Sequence, residues 1–132
     1  MIAALSGLRL LLVEDETLVA MMVEDMLAEF GCVVADVAGS VSRGLALAAD
    51  DALALDGAIL DVNLGGEKVF PVAQVLADRG IPFIFATGYG VAGVAEAFSH
   101  VPVLAKPYEA GALERMLTAA LSAAGRGGSP PA

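Results

Sequence analysis

With 132 residues the chain has room for one domain and little for a second. Its hydrophobic fraction of 58% is ample for a core, much of it built from small side chains. Seven Lys and Arg against sixteen Asp and Glu give a formal net charge of −9, which argues against a nucleic-acid backbone or an anionic membrane surface as partner.

Residues 1–7 form an apolar N-terminal extension without the basic residues that open a signal peptide. Residues 8–13 read as a strand, nearly uninterrupted by polar side chains. The apolar run stops at Glu14-Asp15-Glu16, too short to cross a bilayer, and a cytoplasmic protein is expected. Residues 16–30 read as a helix, with Leu18, Met22, Met26 and Phe30 recurring near helical spacing and Gly31 as its stop. A second strand covers residues 32–38. Its Cys32 is the only cysteine and has no metal-type spacing around it, so a small buried residue is expected, with a reactive thiol as the alternative. Ser40 caps a helix that runs to about residue 50.

Residues 57–62 form a third strand, and residues 67–79 a helix with Val69, Val72, Ala73 and Leu76 on one stripe. Gly80 ends that helix and residues 81–86 form a fourth strand. Residues 91–98 make a short, weak helix containing Gly93. His100 has no partner nucleophile nearby in sequence and reads as a surface or strand-edge residue. A fifth strand spans residues 101–105, and a last helix spans residues 109–124, striped by Leu113, Met116, Leu117, Ala120, Leu121 and Ala124. The Gly, Ser and Pro-rich tail 125–132 is expected to be disordered.

This is β-α five times over, with strands apolar enough to be covered on both faces. Right-handed crossovers then give an α/β fold, a doubly wound five-stranded parallel sheet, over residues 8–124. In such sheets the functional crevice lies beyond the carboxyl ends of the strands. The first strand ends in Glu14-Asp15, the third at Asp61 followed by Asn63, the fourth in Thr87 and the fifth in Lys106.

Three converging carboxylates repel one another unless a cation joins them. Mg²⁺, or another divalent cation, takes one or two carboxylates plus phosphate oxygens and keeps some water. Asp15 and Asp61 are the expected direct ligands, Glu14 a direct or water-mediated one, and the backbone carbonyl of Asn63 completes the protein's share. Asp61 is the expected nucleophile, since a carboxylate can form an aspartyl phosphate. Lys106 offers a point charge and Thr87 a hydroxyl donor to phosphoryl oxygens. Proline after Lys106 restricts its backbone and permits a cis bond.

Rival readings carry less. Gly88-Tyr89-Gly90-Val91-Ala92-Gly93 matches the dinucleotide fingerprint, but after the fourth strand and without a second half-domain. A phosphatase with an aspartyl nucleophile usually needs a second acid two residues on, where this chain has Asn63. A binding module that keeps the fold without phosphoryl turnover is the remaining alternative.

From about residue 8 to residue 124 the sequence resembles the bacterial response-regulator receiver family. The resemblance rests on Leu11-Leu12-Val13-Glu14-Asp15-Glu16, Ile59-Leu60-Asp61-Val62-Asn63-Leu64, Ala86-Thr87-Gly88 and Lys106-Pro107-Tyr108. It implies the flavodoxin-like strand order 2-1-3-4-5, Glu14 and Asp15 as the acidic pair, Asp61 as the phosphorylation site, Thr87 as the switch hydroxyl and Lys106 as the invariant lysine. Mg²⁺, phosphotransfer from a histidine kinase, and no enzymatic activity beyond the domain's own phosphorylation and dephosphorylation come with it. Pro82-Phe83-Ile84-Phe85-Ala86-Thr87-Gly88-Tyr89 looks like the signature of the subgroup nicknamed FAT GUY, whose members often act as single-domain regulators beside kinases of the HWE and related classes. Output would then pass through contact with a downstream protein or through phosphate flow, by a monomer or a phosphorylation-dependent dimer. One departure stands out. Three positions before Lys106, where most receivers carry a switching aromatic, this chain has Val103, so Tyr89 and the segment 88–93 are expected to move instead.

Overall fold

The computed structural model describes residues 4–88 and 93–124. In chain order it contains β1 (Arg9–Val13), α1 (Thr17–Glu29), β2 (Val33–Ala38), α2 (Val41–Ala48), β3 (Gly57–Asp61), β4 (Asn63–Leu64), β5 (Glu67–Lys68), α3 (Phe70–Asp78), β6 (Phe83–Thr87), a 3₁₀ turn (Glu96–Phe98), β7 (Val103–Ala105) and α4 (Ala110–Ala123). Five of the strands form one sheet in the order β2-β1-β3-β6-β7, and every neighbouring pair in it is parallel. Since β4 and β5 pair only with each other, this is the expected order 2-1-3-4-5.

Alternation along each strand explains why these segments read as unbroken apolar runs. Leu11, Val13, Ala58, Leu60 and Phe85 point into the layer that holds α2 and α3. Leu10, Leu12, Ile59, Ile84 and Leu104 point into the opposite layer, with α1 and α4. Leu5, from the N-terminal extension, is buried in the second layer together with Phe30 and Cys32. Burial pushes the Cys32 thiol up to about 11, with the charge of Glu114 adding to the effect, so the expected inert thiol fits better than the reactive one. His100 is exposed, as expected.

Three sequence expectations need correction. The stripe Leu18, Met22, Met26 and Phe30 is split: Leu18 and Met22 are exposed, Met26 packs partly against the core and Phe30 is buried. The buried face of α1 is Ala20, Val23 and Leu27. The helix expected from residue 67 starts at Phe70, because the preceding residues form a hairpin. Gly65 (φ 55°) and Gly66 (φ 91°) make a two-residue turn between the antiparallel pairs Leu64↔Glu67 and Asn63↔Lys68. Pro71 then falls in the first helical turn, where its missing N–H leaves no bond unmade.

The expected helix 91–98 is reduced to the turn Glu96–Phe98, residues 91 and 92 lying outside the described residues. Tyr89 and the tail 125–132 also lie outside them. Among the described residues no helix is long and apolar enough to cross a membrane.

Candidate functional site

The chain leaves β1 for β2 on one side and arrives at β3 on the other. The crevice of a doubly wound sheet opens at such a reversal, here beyond the ends of β1 and β3. Glu14 is fixed there by its N–H, which donates to the Ala38 carbonyl at the end of β2 (2.9 Å). Asp61 is the last residue of β3, paired with Ala86 of β6. Thr87 ends β6 one residue later, and its carbonyl accepts from the Lys106 N–H (3.1 Å). Backbone pairing alone therefore brings Glu14, Asp61, Thr87 and Lys106 to one rim.

The side chains close the arrangement. Glu14, Asp61 and Thr87 are the three buried polar or charged residues among the described ones, at 2%, 4% and 1% exposure. The Lys106 ammonium donates to Asp61 Oδ2 (3.0 Å) and lies 2.9 Å from Glu14 Oε1. The second contact is an ion pair, and among the described residues Lys106 is the one partner of the buried Glu14 Oε1. Glu14 Oε2 accepts from the Glu16 N–H (3.2 Å). The Lys106–Pro107 bond is cis.

Burial and the neighbouring Asp61 push the Glu14 carboxyl up to about 7, against the opposing pull of Lys106 and the Glu16 amide. Burial works to lower the Lys106 ammonium, but the carboxylates of Glu14 and Asp61 outweigh it and hold Lys106 above its ordinary value. Tyr108 is also pushed up, mainly by burial and then by the charges of Glu14 and Asp61.

Asp15 and Asn63 stand at the mouth. Asp15 is exposed, and its Oδ2 accepts from the Gly65 N–H of the hairpin turn (3.0 Å). The Asn63 N–H reaches Asp61 Oδ1 (3.4 Å), and its side-chain oxygen accepts from Lys68. Carboxylate oxygens of Glu14, Asp15 and Glu16 come within 4.8 Å of one another, a group that does not include Asp61. Hard oxygen donors in this number suit a small divalent cation. Glu16 joins the group although no role was expected for it. The signal was its place in the acidic run 14–16. Glu14 and Asp61 thus meet at Lys106, while Asp15 faces the hairpin and does not fall in one group with Asp61.

No family model matches the chain, and no curated protein does. Solved structures do. The chain is similar to SdrG from Sphingomonas melonis Fr1, with 44% identity over 88% of this chain and 97% of that one, at a TM-score of 0.76. A structure of the BeF3-activated conformation of SdrG from Pseudomonas melonis Fr1 aligns with 45% identity over 88% and 98% of the two chains, at a TM-score of 0.73. The signal receiver domain of a modulated diguanylate cyclase from Desulfovibrio desulfuricans G20 shares 27% identity over 91% and 98%, at a TM-score of 0.79. The response regulator PhyR from Brucella abortus shares 26% over 92% of this chain but 50% of that one, at a TM-score of 0.75.

Proposed function

The chain belongs to the response-regulator receiver family, and we propose that it accepts a phosphoryl group on Asp61 from a histidine kinase in two-component signalling. The observation that carries this reading is the Lys106 ammonium, held 3.0 Å from a buried carboxylate at the carboxyl end of a central strand.

An oxygen of Asp61 attacks phosphorus and the new O–P bond forms. The P–N bond to the donor imidazole breaks, its electron pair stays on nitrogen, and that nitrogen takes up a proton. Lys106 neutralises charge on the transferred oxygens, and the Thr87 hydroxyl supplies a donor to one of them. Glu14 and Asp15, with Asp61 and the Asn63 carbonyl or the adjacent Glu16, would hold Mg²⁺ or another divalent cation, which offsets the negative charge of the incoming group when bound. Burial keeps bulk water from Asp61, which favours transfer over hydrolysis.

Three features support the reading. The acidic group fits a cation, the relative SdrG has a BeF3-activated conformation, and Pro82 to Tyr89 resembles the FAT GUY signature. That signature also favours an HWE-type kinase and output by protein contact or as a phosphate sink.

The test is incubation of the full chain with Mg²⁺ and acetyl phosphate, followed by intact mass. One added phosphoryl group is expected, absent in Asp61→Asn and after chelation. Its persistence in Asp61→Asn would overturn the site. Its absence from the wild type would favour the phosphorylation-independent binding module instead.

A further inference from the structure

Tyr108 lies two residues beyond Lys106, with its ring buried in the layer between the sheet and helices α1 and α4. Its hydroxyl is buried and has no hydrogen-bond partner. Among the described residues one other buried side-chain polar atom shares that condition, Glu14 Oε1. A phenylalanine would fill the same space without stranding a donor, so the hydroxyl calls for a state in which it is used.

Glu14 Oε1 lies beside the Lys106 ammonium, and Tyr108 lines the same cavity as Lys106. Lys106 stands between Glu14 and Asp61 and serves both carboxylates at about equal distance, 2.9 and 3.0 Å. A phosphoryl group on Asp61 would add acceptor oxygens and charge on that side, drawing the ammonium toward it. Glu14 Oε1 would then lose its ion pair with Lys106, which is costly at a buried oxygen. A cavity of about 330 Å³, lined by Glu16, Val19, Met22, Lys106, Pro107 and Tyr108, leaves these side chains room to readjust.

We propose that Tyr108 is a positioning residue for phosphoryl acceptance, its hydroxyl taking over as donor to Glu14 Oε1 when Lys106 turns to the phosphoryl oxygens. The proposal rests on Asp61 being the acceptor. Burial, and then the charges of Glu14 and Asp61, keep the phenol protonated and so available as a donor.

The full chain, labelled with ¹³C at the tyrosine Cζ, tests this. There are two tyrosines, and Tyr108→Phe assigns them. The Tyr108 carbon is expected to shift when beryllofluoride is added to the Mg²⁺-loaded protein. Tyr108→Phe is expected to melt no lower than the wild type when unloaded, since no partner is lost. Its phosphorylation by acetyl phosphate should be slower by roughly 10-fold or more, the worth of one hydrogen bond to a charged group. A Tyr108 shift already complete with Mg²⁺ alone, no shift at all, or a wild-type rate in Tyr108→Phe would overturn the proposal. Failure of Asp61 as the acceptor is seen separately, as a phosphoryl group that survives Asp61→Asn or is missing from the wild type, and would remove both readings.

Discussion

Ionising Glu14 places a charge at a residue only 2% exposed, beside a second carboxylate, with one shared lysine to offset both. The folded protein accordingly holds the Glu14 proton up to about 7, while the unfolded chain releases it near the ordinary value of 4.5. The folded state therefore binds this proton more tightly. The resulting stability is fully present below pH 4.5 and is lost as pH rises through 7. Without divalent cations, Glu14→Gln is expected to be more stable than the wild type at pH 8, by at most about 3 kcal/mol, with the advantage shrinking by pH 5. Denaturant unfolding of both proteins in chelator at the two pH values measures this. An advantage larger at pH 5 would contradict the burial argument.

At this scale the sequence was a good guide to which residues meet, because strand ends in a doubly wound sheet must converge. It was a poor guide to what they bond. The Asp15 carboxylate binds the Gly65 amide, 50 positions away, and the unpaired Tyr108 hydroxyl exists only once the core is packed.

Among the elements, the β4–β5 hairpin was the one not legible in the sequence. Its strands are two residues each, too short to show any alternation, and Glu67 and Lys68 suit the start of a helix equally well. Gly65-Gly66 was the available sign, since successive residues at positive φ define this turn type. The turn has a functional consequence, because it aims the Gly65 N–H at Asp15. Nothing crowds the space where a Cβ at Gly66 would stand, so the backbone conformation alone penalises a side chain there. Gly66→Ala is expected to lose about 1–2 kcal/mol of stability. It should also weaken Mg²⁺ binding as the hairpin shifts away from Asp15. Urea unfolding and a Mg²⁺ titration check the two effects, and a variant that loses stability while binding Mg²⁺ as before would uncouple the hairpin from the cation site.

The layer facing α2 and α3 explains how the fold accommodates Val103. Four of the five phenylalanines gather there: Phe70, Phe83, Phe85 and Phe98. Phe70 and Phe98 stack at 5.8 Å, and Phe85, the register partner of Val103, meets Phe98 edge-on at the same distance. The aromatic surface beside Val103 is thus supplied by β6, α3 and the 3₁₀ turn. Pairwise contacts of this kind depend on how elements cross, which periodicity does not encode.

Across the whole molecule, the one arrangement that the hydrophobic pattern misassigned is the most informative about partners. Leu18, Met21 and Met22 give α1 an exposed apolar face, Leu18 being 81% exposed. A chain with a net charge of −9 has polar residues to spare for such positions. Met22 lines the cavity that Lys106 and Tyr108 also line, so this face adjoins the rim where Asp61 would receive its phosphoryl group. Clustered Leu and Met side chains beside a reactive carboxylate suit a partner that buries an apolar helix surface while presenting its phosphohistidine. Small phosphodonors need no such contact. Leu18→Glu and Met22→Glu are therefore expected to leave the acetyl phosphate rate near that of the wild type while lowering transfer from the cognate kinase, by about 10-fold or more if these side chains are central to the contact. Parallel measurements with the two donors separate the cases. Equal losses with both would mean that the substitutions damage the acceptor site, and no loss with either would place kinase docking on another face.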